Sequence, residues 1–144
     1  YMQEADFELA ENSFNQAIQV DPSYVSAYID LGQILNAQER WDEAYNSLST
    51  ATALDASKNK AWFLLAQSQN AKGSCDEAKE SSRVALDLKS DYAPAFFELG
   101  LSEVCLGNKT AALAAFENAR KNRTWRKNAE YEIDKIKNPE KYQQ

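Results

Sequence analysis

The sequence predicts an all-α chain built as a stack of antiparallel helix pairs, and three observations carry that expectation. Residues of matching size recur every 34 positions: Ala10, Ala44, Ala78 and Ala112; Ala17, Ala51, Ala85 and Ala119; Leu31, Leu65 and Leu99, followed by Ile133. Tyr28, Trp62 and Phe96 form an aromatic column at the same spacing, and Gly32, Ala66 and Gly100 a column of small residues. Self-similarity at a fixed period of this length marks a repeat architecture. Composition points the same way, with four Gly and three Pro in 144 residues and an abundance of Ala, Leu, Glu, Gln and Lys, which favour helix over strand. Within one period the apolar positions follow a helical rhythm: Tyr28, Leu31, Gly32 and Leu35 stand at i, i+3, i+4 and i+7, one stripe of a helix.

Residues 1–24 read as a partial first repeat whose second helix is intact, closed by Pro22 after Asp21. The first full repeat occupies 25–58. Its first helix runs from Val25 to Ala37, a break covers Gln38 to Trp41, and its second helix runs from Asp42 to Leu54 with Ala44, Leu48, Ala51 and Leu54 on one face. Repeats at 59–92 and 93–123 follow. Gly73 and Gly107 fall where a first helix ends, suiting a left-handed C′ residue; Glu39 and Ala5 hold the same column, so turns there are expected to be less comfortable. Ser74 with Glu77 has the spacing of a capping box. Residues 124–144 read as a capping helix and tail: Ala129, Ile133 and Ile136 share one side, charges cover the rest, and Asp134 replaces the small residue of the earlier columns. A charge is poor between packed helices and natural where no helix follows, as in a terminal repeat with a polar outer face. The tail from Asn138 is expected to fray.

These columns resemble the tetratricopeptide repeat, whose pattern is W-x2-L-G-x2-Y, then A-x3-F, a further Ala, and Pro. The chain offers Tyr28-x2-Leu31-Gly32, Trp62-x2-Leu65-Ala66 and Phe96-x2-Leu99-Gly100, then Ala10-x3-Phe14, Ala44-x3-Leu48, Ala78-x3-Ser82 and Ala112-x3-Phe116. It departs from the pattern where Gln69 and Glu103 replace the third aromatic, and only Pro22 keeps the closing proline. The resemblance implies a right-handed superhelix that serves as a non-catalytic scaffold, with no cofactor or metal, and holds an extended or helical segment of a partner protein in its concave groove. The groove residues it implies are Ile29, Gln33, Asn36, Lys60, Phe63, Gln67, Asn70, Phe97 and Leu101. Apolar members would take anchor side chains, and the amides would hydrogen-bond a partner's backbone. Relatives that clamp a C-terminal carboxylate do so with groove Lys and Asn. The matching columns here hold Ile29 with Gln33, Phe63 with Gln67 and Phe97 with Leu101, and Lys60 alone is no substitute, so a co-chaperone of that type is excluded.

Charge and the rarer residues narrow the function further. Residues 120–144 carry eight Lys and Arg against four Asp and Glu, a net +4, whereas residues 1–119 net −10. Arg120, Lys121, Arg123, Arg126 and Lys127 surround Trp125, but an overall charge of −6 argues against a nucleic-acid partner. With no histidine the commonest general base and metal ligand is missing. Two cysteines make neither a disulfide framework nor a zinc site. A Cys75–Cys105 bond is geometrically conceivable, although two half-buried small residues is the favoured account. Trp41 and Trp62 read as packing residues, and Asp42/Glu43 and Asp76/Glu77 as helix-start carboxylates. No apolar run approaches the roughly 20 residues that cross a bilayer, so no membrane insertion is expected of this segment. Residue 1 falls inside a repeat, so the natural start is expected upstream. The alternative reading is therefore a regulatory or targeting module of a larger polypeptide whose enzyme domain or membrane anchor lies outside this segment. A third reading is self-association through the open N-terminal helix.

Overall fold

The computed structural model describes residues 2–143. Eight helices follow in order: α1 (Met2–Val20), α2 (Val25–Ala37), α3 (Trp41–Leu54), α4 (Asn59–Ala71), α5 (Cys75–Leu88), α6 (Ala93–Cys105), α7 (Lys109–Arg120) and α8 (Arg126–Lys137), with a 3-10 turn at Pro139–Tyr142. No strand occurs among the described residues. Each helix packs on its sequence neighbours, while α2, α4 and α6 also touch one another side by side. That pattern makes a right-handed superhelix of antiparallel pairs, with α2, α4 and α6 lining its inner face.

Within each pair the turn follows one geometry. In the first, the amide of Arg40 donates to the carbonyl of Leu35 (2.9 Å) and that of Glu39 to Asn36 (3.0 Å); Ser74 to Gln69 and Asn108 to Glu103, both 2.8 Å, repeat the longer bond. These are the paired bonds of a Schellman motif, which needs a left-handed residue at C′. Gly73 and Gly107 supply it at φ 82°, and Glu39 adopts it at φ 59° despite its side chain. A non-glycine residue held there costs on the order of 1 kcal/mol. Glu39→Gly is therefore expected to raise the unfolding free energy by roughly that much, read as a higher urea midpoint at an unchanged slope.

Three expectations are corrected. Ala5 makes no turn: α1 runs unbroken from Met2 to Val20, as a strong helix former without a glycine's freedom would have it. Ser74 is the N-cap of α5 but makes no side-chain capping bond; its backbone is already committed to the turn through Gln69. The tail does not fray at Asn138. It folds back as the 3-10 turn, so that the Tyr142 hydroxyl and the Asn138 amide (2.7 Å) both donate to Asp134, and Tyr142 meets the Tyr131 ring edge-on at 5.5 Å. Those donors hold the Asp134 carboxyl below its usual range. The charge in the small-residue column is thus satisfied by the tail that covers it.

Packing between the two helices of a pair is a matter of size matching. Gly32 lies against Leu48, and a Cβ on Gly100 would stand 2.5 Å from Phe116 Cε1. Leu48 and Phe116 are both 0% exposed. In the middle repeat the same register pairs Ala66 with Ser82, also fully buried. Where the first helix gains a methyl, the second gives up its large side chain. The core divides accordingly into one cluster around Leu31, Leu35, Leu48 and Leu65 and another around Phe116, Ala129 and Ile133. In α1 the counterparts Ala10, Phe14 and Ala17 are only partly buried, because no described helix covers that face.

The aromatic column tethers the linkers. The hydroxyl of Tyr28 donates to Pro22 O at 2.8 Å and the indole of Trp62 to Ala56 O at 2.9 Å; Phe96 has no donor to offer. Arg40 forks between Glu11 of α1 (2.7 and 3.1 Å) and Glu43 of α3, the bidentate geometry guanidinium favours. Cys75 and Cys105 are joined as a disulfide between the start of α5 and the end of α6, which corrects the favoured account of two free cysteines. Their Cα atoms lie 6.2 Å apart, a separation a disulfide spans readily.

Candidate functional site: a cleft on the concave face

The nine residues singled out by sequence separate into those held inside the fold and those left facing the groove. Ile29 is 7% exposed and belongs to the first core cluster. Asn36 is 4% exposed. Its Nδ2 donates to Leu64 O (3.0 Å) and Gln67 Oε1 (3.2 Å), and its Oδ1 is sealed from solvent. Asn70 repeats the arrangement one period on: Nδ2 donates to Glu98 O (3.0 Å) and Glu98 Oε2 (2.9 Å), while Oδ1 accepts from Ser102 Oγ at 2.9 Å. Both asparagines thus reach 28 residues along the chain to the next inner helix, and act as rungs between repeats with no donor left for a guest. The ladder stops where Val104 takes the column. A polar residue recurring at one helix-end position was the available signal; it reads equally as groove or as strut until the partner's register is known.

Gln33 and Lys60 are exposed, and Gln67, Phe63, Phe97 and Leu101 are partly so. Phe63 meets the edges of Tyr92 (5.9 Å) and Trp125 (6.3 Å), and Phe97 packs on Trp125 (5.1 Å) and Phe116 (5.5 Å). Trp125 therefore belongs to an aromatic cluster on the inner face, which its surrounding of Arg and Lys concealed in the sequence. The 34-residue columns also continue into α8, placing Tyr131 after Phe97 and Lys135 after Leu101; Tyr131 is 49% exposed, with the Lys135 ammonium 5.3 Å from its ring centre.

Between these inner helices lies a cleft of about 470 Å³. Gln67 and Asn70 of α4 form one wall, and Phe97, Leu101 and Cys105 of α6 the other. Trp41, at the start of α3, and the buried Glu98 complete the lining. Glu98 is 4% exposed. Burial pushes its carboxyl up to about 7, against the lowering effect of the Asn70 amide. Loss of hydration disfavours the ionised form. Among the described residues no group of three or more Cys, Asp or Glu could hold a metal, and no helix is long and apolar enough to cross a membrane.

An open stack of helix pairs with a lined inner face defines a helical-repeat protein. A family model described as tetratricopeptide repeat matches residues 1–68, and the same helix-pair geometry continues through α7. Residues 1–68 thus match the tetratricopeptide-repeat family, and the chain as a whole shares the fold of solved tetratricopeptide-repeat structures. It is similar to the crystal structure of MamA, with 22% identity, 92% of this chain and 78% of that one covered, and a TM-score of 0.82. The type III secretion translocator chaperone SycD of Yersinia enterocolitica matches with 13% identity, 78% and 91% coverage, and a TM-score of 0.71. The tetratricopeptide domain of Arabidopsis OM64 gives 16% identity, 78% and 93% coverage, and a TM-score of 0.74. At these identities the likeness is one of fold. No curated protein sequence matches the chain.

Proposed function

We infer that this chain is a non-catalytic scaffold that holds a segment of a partner protein along its concave face, with the repeats divided at 24, 58, 92 and 123. The observation that carries the reading is the cleft, whose walls come from the same columns of successive inner helices. A stack of this kind presents a continuous concave surface, and a mostly apolar cleft with few polar groups suits an extended or helical segment. The groove surface is then Gln33, Lys60, Phe63, Gln67, Phe97 and Leu101, with Asn36 and Asn70 keeping the repeats in register beneath it.

The test is selection of displayed random peptides on the immobilised chain, followed by titration of the winners. Leu101→Glu is expected to weaken them about tenfold or more, with helicity unchanged, and exposed Glu80→Ala on α5 to leave them unaltered. Winners indifferent to Leu101→Glu but lost with Glu80→Ala would place binding elsewhere.

A further inference from the structure

The cleft has chemistry that the groove reading does not use. Glu98 is buried, yet only Oε2 has a partner, the Asn70 amide at 2.9 Å. Oε1 makes no hydrogen bond and is not among the sealed atoms, and the side chain lines the cleft. A buried carboxylate with an unpaired oxygen facing an opening lacks a donor. The cleft it shares with Gln67 and Asn70 is also lined by the apolar side chains of Trp41, Phe97 and Leu101. The cleft is bordered by the C-terminal ends of two helices, α4 at Ala71 and α6 at Cys105, the negative ends of their dipoles. Nearby cations are committed: Lys72 to Asp42 at 2.9 Å and to the Tyr45 ring, and Lys79 to Glu103 at 2.8 Å.

We propose that this cleft is a socket for a lysine or arginine side chain of the bound segment, its aliphatic stem lying along Trp41, Phe97 and Leu101 and its charged head meeting Glu98. This deepens the groove reading and rests on it. Long basic side chains bury their stems on apolar surface while the head seeks a polar partner, and the cleft offers both surfaces. Charge complementarity commits the occupant, since residues 1–119 net −10 and a basic segment is attracted to the whole acidic body. The occupant is the reverse of the carboxylate that groove lysines hold in clamp-type relatives.

The socket also sets a pH dependence. A bound cation favours ionised Glu98, so below about 7 the cation must displace a proton and affinity rises with pH, levelling above that value. The charged groups on the packed elements are the Lys79–Glu103 pair of α5 and α6 and the Lys72–Asp42 pair of α4 and α3.

The test uses Nα-acetyl-lysine methylamide and its arginine and norleucine counterparts as probes, titrated into the full chain and followed by NMR at the Trp41 indole and Gln67 side-chain amide. The lysine and arginine probes should bind about tenfold more tightly than norleucine, a difference of about 1.4 kcal/mol, and more tightly at pH 8 than at pH 5.5. Glu98→Gln keeps an acceptor for Asn70 and should erase both the preference and the pH dependence. Trp41→Ala should weaken all three probes. Equal binding of norleucine, or a preference that survives in Glu98→Gln, overturns the socket. Peptides selected on the groove that need no basic residue also overturn it while leaving the groove reading intact; absence of any concave-face peptide overturns both.

Discussion

Gly100→Ala is expected to destabilise the chain by about 1–3 kcal/mol, although the change adds a single methyl and would ordinarily favour a helix. The methyl would arrive 2.5 Å from the Phe116 ring, in a site where Phe116 is 0% exposed and has no free volume to turn into. Phe116→Ser alone is expected to cost about 3–5 kcal/mol, the range for losing a large buried aromatic. The informative variant is the double one. Gly100→Ala with Phe116→Ser recreates the Ala66 and Ser82 pairing that the middle repeat already uses. The pair should therefore lose less than the sum of the singles by about 0.5–3 kcal/mol. Strict additivity in urea melts of all four proteins would show that the two residues do not share a contact.

The second large effect is expected on reduction of the Cys75–Cys105 bond. It closes a loop of sequence separation 30. In the chain-entropy account, a cross-link of that span stabilises by about 3–4 kcal/mol, chiefly by restricting the unfolded chain. The loop spans α5 and α6 from end to end, so the loss should concentrate in the part of the stack that carries the cleft. Hydrogen exchange before and after dithiothreitol is the measurement: amides of α5 and α6 should lose protection by up to that amount, and those of α2 and α3 by less. Uniform loss along the chain would mean that the repeats unfold as one unit, and no change would mean that the bond adds nothing.

The fold was legible because its information is periodic. Ala44, Leu48 and Ala51 announce a buried face on their own, and three further copies at the same interval leave little choice of architecture. Local punctuation was half legible. Gly73 and Gly107 marked their turns, while Ala5 fell in the glycine column and made none, since a column predicts a turn only where a neighbouring helix must be met. The site was the least legible part. Asn36 and Asn70 looked like free amides because their partners, Leu64 O and Glu98 O, are backbone groups one repeat away, and no side-chain pattern encodes a carbonyl. Glu98 escaped notice for a related reason. Its column holds Asp30 and Leu64 in the preceding repeats, so its burial follows from the close approach of α4 and α6 and from nothing visible in its own neighbourhood.

The fold-back of Pro139–Tyr142 onto Asp134 has a consequence for lengthening the array. A further unit docked onto α8 would need its second helix where that turn now lies, and would meet a carboxylate where Gly32 and Gly100 leave room. Seating another helix on that face of α8 would therefore require displacing the turn and restoring glycine at 134 together.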